Sequence, residues 1–187
     1  MSDSLRVNIT ITPTPGPGLP WCEAKVEVQG EPCFSYDCRS HKVTPICVRG
    51  KKVEAPLRED LREILKDLTE NFKKKLLDIK HEDPRGSAPL SLQATLEIQE
   101  EAGGRRRGSW QLVFSGRVSL RLDVETRAWT ADSGDRWMLE KWKDDTDMNE
   151  FLWRTSLGDW KTWLQKVAAH WGPPGTTAPL FPPRPVC

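Results

Sequence analysis

Five of the 187 residues are cysteines, and four of them, Cys22, Cys33, Cys38 and Cys47, fall within one short stretch while Cys187 ends the chain. Clustered thiols can pair as disulfides, hold a metal, or sit reduced in a core. No CxxC pair occurs among them and His41 is the only histidine nearby, a poor match to zinc-ligand spacing. Two local disulfides plus a tail cysteine are expected, with zinc and plain reduced thiols as the competing readings. Asn8-Ile9-Thr10 is a glycosylation acceptor and leans the same way, toward the secretory route.

Groups that could catalyse do not converge. His41, His81 and His170 stand in three separate segments, and no GxSxG, phosphate-cradling glycine loop or HExxH is present. Neither an enzyme nor a cofactor is expected. Asp144, Asp145 and Asp147 could meet a cation, but the start of a helix is the better use of such a cluster. The arginines at 105–107 beside Trp110 could join phosphate contacts to base stacking. No second basic segment extends them, and 28 basic against 27 acidic residues give no reason for a nucleic-acid or acidic-lipid partner. A solvated hairpin is expected there.

The elements around these residues show two periods. "LRVNITIT", "CEAKVEVQ", "CFSYDC" and "HKVTPICV" read as four strands, the first two with strict alternation. Over 56–80 the apolar positions Leu57, Leu61, Ile64, Leu65, Leu68, Phe72, Leu76 and Ile79 take the three-four spacing of a long amphipathic helix. The pattern then repeats, with strands in "LSLQATLEI", "GSWQLVF", "GRVSLRLDV" and "TRAWTA". A long interrupted helix follows over 132–171, with breaks expected near Ser133-Gly134, Asp144-Asp145-Thr146 and Gly158. Two such units side by side make an α+β fold, an eight-stranded antiparallel sheet with two long helices on one face. The expected division is 1–86, 87–171 and a Pro-rich stalk over 172–187. No stretch approaches the ~20 apolar residues of a membrane span, and "MSDSL" lacks the regions of a signal peptide, so a mature or excised soluble fragment is expected.

"WCEAKVEV", "FSYDC", "PLSLQ", "GSWQLVFSG", "RAWTA", "EKWKDD" and "WKTWL", in this order, resemble the MHC class I-like ligands of natural killer cells, the family of the ULBP and retinoic-acid-early-inducible proteins. The resemblance runs from Leu5 to about Trp171. It implies an alpha-1/alpha-2 platform without the immunoglobulin-like alpha-3 domain, without the small microglobulin subunit and without a bound peptide. It implies a cell-surface, extracellular protein, tethered to the membrane by residues outside this chain, that reports cellular stress. The implied partner is the activating lectin-like receptor called natural-killer group two, member D, a homodimer that straddles the tops of both helices. A groove-bearing carrier of a small lipid or peptide is the alternative that the same fold class allows.

The resemblance also implies a disulfide between Cys22 and Cys38, with Cys33 and Cys47 as the other local pair. The family's strand-to-helix disulfide in the second half falls on Ile98 and Trp160, where this chain departs from the pattern. Trp160 packed inward would then offset part of a crosslink worth about 2–5 kcal/mol. The implied receptor face on the first helix is Arg62, Glu63, Lys66, Asp67, Glu70 and Lys73. On the second, a wheel of 100° per residue turns Trp153, Leu157, Trp160, Leu164, Val167 and Trp171 toward the sheet, with Leu152 and Trp163 at the edges. Met148, Phe151 and Thr155 then lie on the other side, at least one of the two apolar groups exposed, rimmed by Asp147, Glu150, Arg154, Gly158 and Asp159.

Overall fold

A computed structural model describes residues 3–13, 15–82, 91–100, 106–115, 117–131 and 136–171. Both ends of the expected first boundary, 86 and 87, fall outside these residues, as do 172–187 with Cys187, the 133–134 break and Arg105.

Strands β1 (Asp3–Ile11), β2 (Cys22–Val28), β3 (Glu31–Asp37) and β4 (Lys42–Pro45) precede a short helix α1 (Val48–Lys51) and the long helix α2 (Ala55–Glu82). Strands β5 (Leu92–Glu100), β6 (Arg106–Phe114), β7 (Val118–Asp123) and β8 (Ala128–Ala131) precede α3 (Arg136–Lys143), α4 (Thr146–Arg154), a π-helical turn (Thr155–Asp159) and α5 (Trp160–Trp171). All eight strands form one antiparallel sheet in the order β4-β3-β2-β1-β5-β6-β7-β8. The two halves meet at β1 and β5, paired over their whole length from Asp3 opposite Glu100 to Ile11 opposite Leu92.

Alternation decides which face of the sheet is dry. In β1, Leu5, Val7, Ile9 and Ile11 are buried while Arg6 and Thr10 are exposed; β5 repeats this with Leu92, Ala94, Leu96 and Ile98 against Gln93, Glu97 and Gln99. The buried set joins Leu61, Leu65, Leu68, Phe72, Leu76 and Ile79 of α2 and Trp160, Leu164 and Val167 of α5 in one continuous core. Burying several hundred Å² of such surface, at about 25 cal/mol per Å², is what holds the helices on the sheet. The opposite face is polar along its strands and needs no third layer, the arrangement of an antiparallel sheet wetted on one side.

Both local disulfides form. Cys22 and Cys38 tie β2 to the end of β3 with Cα atoms 5.6 Å apart, and Cys33 and Cys47 tie β3 to the start of α1 at 4.6 Å. Around the second bridge the backbone is crowded: a Cβ on Gly50 would lie 2.8 Å from the Cys33 carbonyl oxygen, and Gly50 N–H donates to Cys47 Sγ at 3.0 Å. The strand expected over 41–48 is shorter, ending at Pro45, and Val48 instead opens α1, whose N-cap is the bridged Cys47. Glu31 lies beside these two sulfurs, but both are spent on the bridge, which leaves no thiolate for a metal. No helix among the described residues is long and apolar enough to cross a membrane.

Candidate functional site

The helices are stapled to each other at both ends. At one end Lys75 Nζ donates to the Lys141 carbonyl at 2.8 Å and to Asp145 Oδ2 at 2.7 Å, and the Lys75 ammonium lies 5.6 Å from the Trp142 ring centre. Glu82 pairs with Lys141 beside it. At the other end Trp163 Nε1 donates to the Leu57 carbonyl at 2.9 Å. Asp145 has two tasks: its Oδ1 accepts from the Met148 N–H, capping α4, while Oδ2 takes Lys75. Partial burial works to raise this carboxyl's pKa, but the Lys75 bond and the cap outweigh it and hold the group below its ordinary value. The acidic cluster expected to start a helix does so.

Beneath the helices the space is filled by rings. Phe72 meets Trp110 edge-on at 5.4 Å, Trp142 packs against Phe114 at 5.6 Å, and Phe34 meets Trp163 at 5.8 Å. Trp110 Nε1 donates to the buried Ser156 hydroxyl at 2.8 Å, fixing the sheet to the π-helical turn. Between α2 and the last helix a cleft of about 300 Å³ opens, lined among others by Asp60, Glu63, Asp67, Asp159 and Lys166. Four carboxylates against one ammonium make it acidic.

The π-helical turn corrects the expected phase of the last helix. Its closing bond runs from the Trp160 N–H to the Thr155 carbonyl, five residues back, so one extra residue enters the turn and the faces before it rotate. Leu152, Thr155 and Ser156 become the buried positions, Thr155 against the expectation that it faces outward, while Trp153 and Leu157, expected at the centre of the inward stripe, are half-buried. Trp153 lies beneath Arg127, 4.1 Å from guanidinium to ring centre. Met148, expected among the outward apolar groups, is 7% exposed and belongs to the core, so it cannot serve as a surface contact. Phe151 is half-buried, with the Arg154 guanidinium 5.9 Å from its ring centre. Trp163, placed at an edge, is buried, and Trp171, placed on the stripe, is half-buried against Arg49 at 4.5 Å. Trp160 and Ile98 are both buried in the one core.

The remaining expected residues divide among three surfaces. Asp147, Phe151, Arg154 and Gly158 follow one another at four- and three-residue steps and form a single ridge, with Asp147 and Arg154 exposed. Asp159, Glu63 and Asp67 turn to the cleft. Glu150 instead pairs with Arg127 at 3.1 Å, and Lys73 lies 4.5 Å from the Trp21 ring, both on outer flanks. Glu70 lines the same outer cleft as Lys73, with His41 and Leu77. Half-buried Arg62 donates to Glu59 at 2.8 Å, and Lys66 is half-buried beside it. The expected set therefore spans the helix tops and both flanks. Asp60, Thr162 and Lys166 were not among the expected residues, although Asp60 precedes Glu63 and Asp67 at helical spacing and is legible as part of the same row.

No family model matches the chain. By sequence it is similar to human UL16-binding protein 1, 38% identical over 188 residues that cover 94% of this chain and 77% of the relative. Human UL-16 binding protein 5 is 39% identical over 168 residues, 87% of this chain but only 49% of that relative, so the chain spans about half its length. Human retinoic acid early transcript 1E is 32% identical over 181 residues, 95% of this chain and 68% of the relative. With one sheet built from two four-strand halves, helices lying across its dry face and these likenesses over most of its length, the chain belongs to the MHC class I-like family of UL16-binding and retinoic acid early transcript proteins.

Proposed function

We infer that this chain is a cell-surface ligand, without catalytic activity, of the homodimeric activating lectin-like receptor called natural-killer group two, member D. The receptor docks across the tops of both helices and so triggers recognition by cytotoxic lymphocytes. The observation that carries this reading is the stapled pair of helices: Lys75–Asp145 and Trp163–Leu57 hold the two ridges in fixed register, a preorganised surface for a partner that must touch both. On it the ridge Asp147, Phe151, Arg154 and Gly158 offers a half-buried ring within a polar rim, the anatomy of an interface hot spot. The acidic cleft beside it favours a basic partner surface.

The carrier alternative loses support from the same geometry. Trp110, Trp142, Trp160 and Trp163 occupy the volume where an apolar ligand would lie, and the remaining cleft is small and acidic. Titration of the soluble chain over the immobilised dimeric receptor ectodomain tests the proposal. Saturable binding is expected, and the absence of binding at tens of micromolar would reject it.

A further inference from the structure

We propose that Asn8 carries an N-linked oligosaccharide that stands at the centre of the sheet's wet face and covers it. Asn8, Asn71 and Asn149 are the only asparagines, and only Asn8 has a Thr two residues on. Asn8 lies in β1, a central strand, opposite Lys25 on one side and Thr95 on the other. It alternates out of phase with the buried Val7 and Ile9 and therefore projects on the face away from the helices. Its neighbours there, Arg6, Thr10 and Lys25, are exposed.

The hydrogen bonding suits the chemistry. Asn8 Oδ1 accepts from Thr95 Oγ1 at 3.1 Å, and among the described residues no partner is found for Nδ2, the atom that must react. In the transfer, Nδ2 attacks the anomeric carbon of a lipid-pyrophosphate-linked oligosaccharide. The C–N bond forms as the C–O bond to the pyrophosphate breaks; the lipid pyrophosphate leaves and the amide nitrogen gives up one proton. Afterwards Oδ1 still accepts from Thr95, so the linkage and the observed bond coexist. Two formed disulfides place the chain in the oxidising compartment where such transfer takes place.

A glycan here occupies the surface on which a further protein layer would pack. It leaves the helix tops untouched, so the proposal stands independently of the receptor reading.

The test is secretion from mammalian cells followed by intact mass measurement before and after peptide:N-glycanase in 18O water. A glycan mass that collapses to the chain mass, with Asn8 converted to labelled Asp, is expected. The extra mass should vanish in Asn8→Gln and Thr10→Ala and persist in Thr10→Ser. Secreted, disulfide-bonded wild-type protein of bare chain mass would overturn the site. For the cover, Lys25 should react with an amine-acylating reagent several-fold more slowly before deglycosylation than after, while Lys74 on α2 reacts equally in both. Equal Lys25 rates would overturn the cover.

Discussion

Trp160 and Arg154 share one stretch of helix and face opposite demands. Trp160 is fully buried, edge-on to Trp163 at 5.9 Å, and its ring N–H has no partner among the described residues. Its worth is therefore packing, and Trp160→Ala should cost about 3–5 kcal/mol in denaturant unfolding. A smaller loss would remove it as the replacement for a strand-to-helix crosslink. Arg154 is exposed and shields the half-buried Phe151, so Arg154→Ala should leave stability within ~0.5 kcal/mol. Receptor affinity should fall by about thirtyfold, the ~2 kcal/mol truncation cost of a hot-spot arginine, read by surface plasmon resonance. Unchanged affinity would take Arg154 out of the footprint. At Gly158 a Cβ would meet nothing, so Gly158→Ala should raise stability by about 0.5–1 kcal/mol through the unfolded chain's lost freedom, visible as a higher Tm.

Between α2 and α4 the Lys75–Asp145 pair makes stability pH-dependent in one direction. The carboxyl's folded pKa is lowered, so its contribution is complete above the unfolded Asp value of ~3.9 and is lost as pH falls through the folded value. Asn caps a helix as well as Asp, so Asp145→Asn isolates the ion pair. The Tm gap between wild type and variant should hold constant above about pH 5 and close progressively below ~4. A gap independent of pH would mean that the pair contributes nothing. The two elements it joins were unequally legible. Helix α2 follows an uninterrupted three-four spacing, so its buried residues and its charged face are both readable from sequence. The last helix carries one extra residue in its π-helical turn; Gly158 marks the place as an expected break, but nothing in the local composition says that the break adds a residue. The error it introduces is a rotation, which moved Leu152 inward, Trp153 outward and Met148 from the expected surface into the core. The central strands β1 and β5 escaped this because a period of two leaves little room for drift: the alternation of Leu5, Val7, Ile9 and Ile11 predicts the buried face directly, whereas in β3 a register shift against β2 buries the neighbours Cys33 and Phe34 together.

Across the whole molecule the two halves are bound by the full-length β1–β5 pairing and one core, so they should unfold as one unit. The chain provides its own reporters for this. Both disulfides lie in the first half, whereas eight of the nine tryptophans lie at or after Trp110. A bridge closing a loop of about 15 residues contributes roughly 3 kcal/mol in the chain-entropy account, acting only on the unfolded chain of the first half. If the halves were independent, Cys33→Ser with Cys47→Ala would leave the tryptophan transition where it was. Shared unfolding instead transmits the whole loss to the second half's signal. The variant's tryptophan fluorescence and far-UV dichroism should therefore shift together to lower denaturant, by the midpoint change that ~3 kcal/mol implies, and both probes should give one common slope, equal to or steeper than wild type as the uncrosslinked unfolded chain expands. A fluorescence midpoint equal to wild type, with dichroism split into two steps, would show that the sheet joins two separately folding halves.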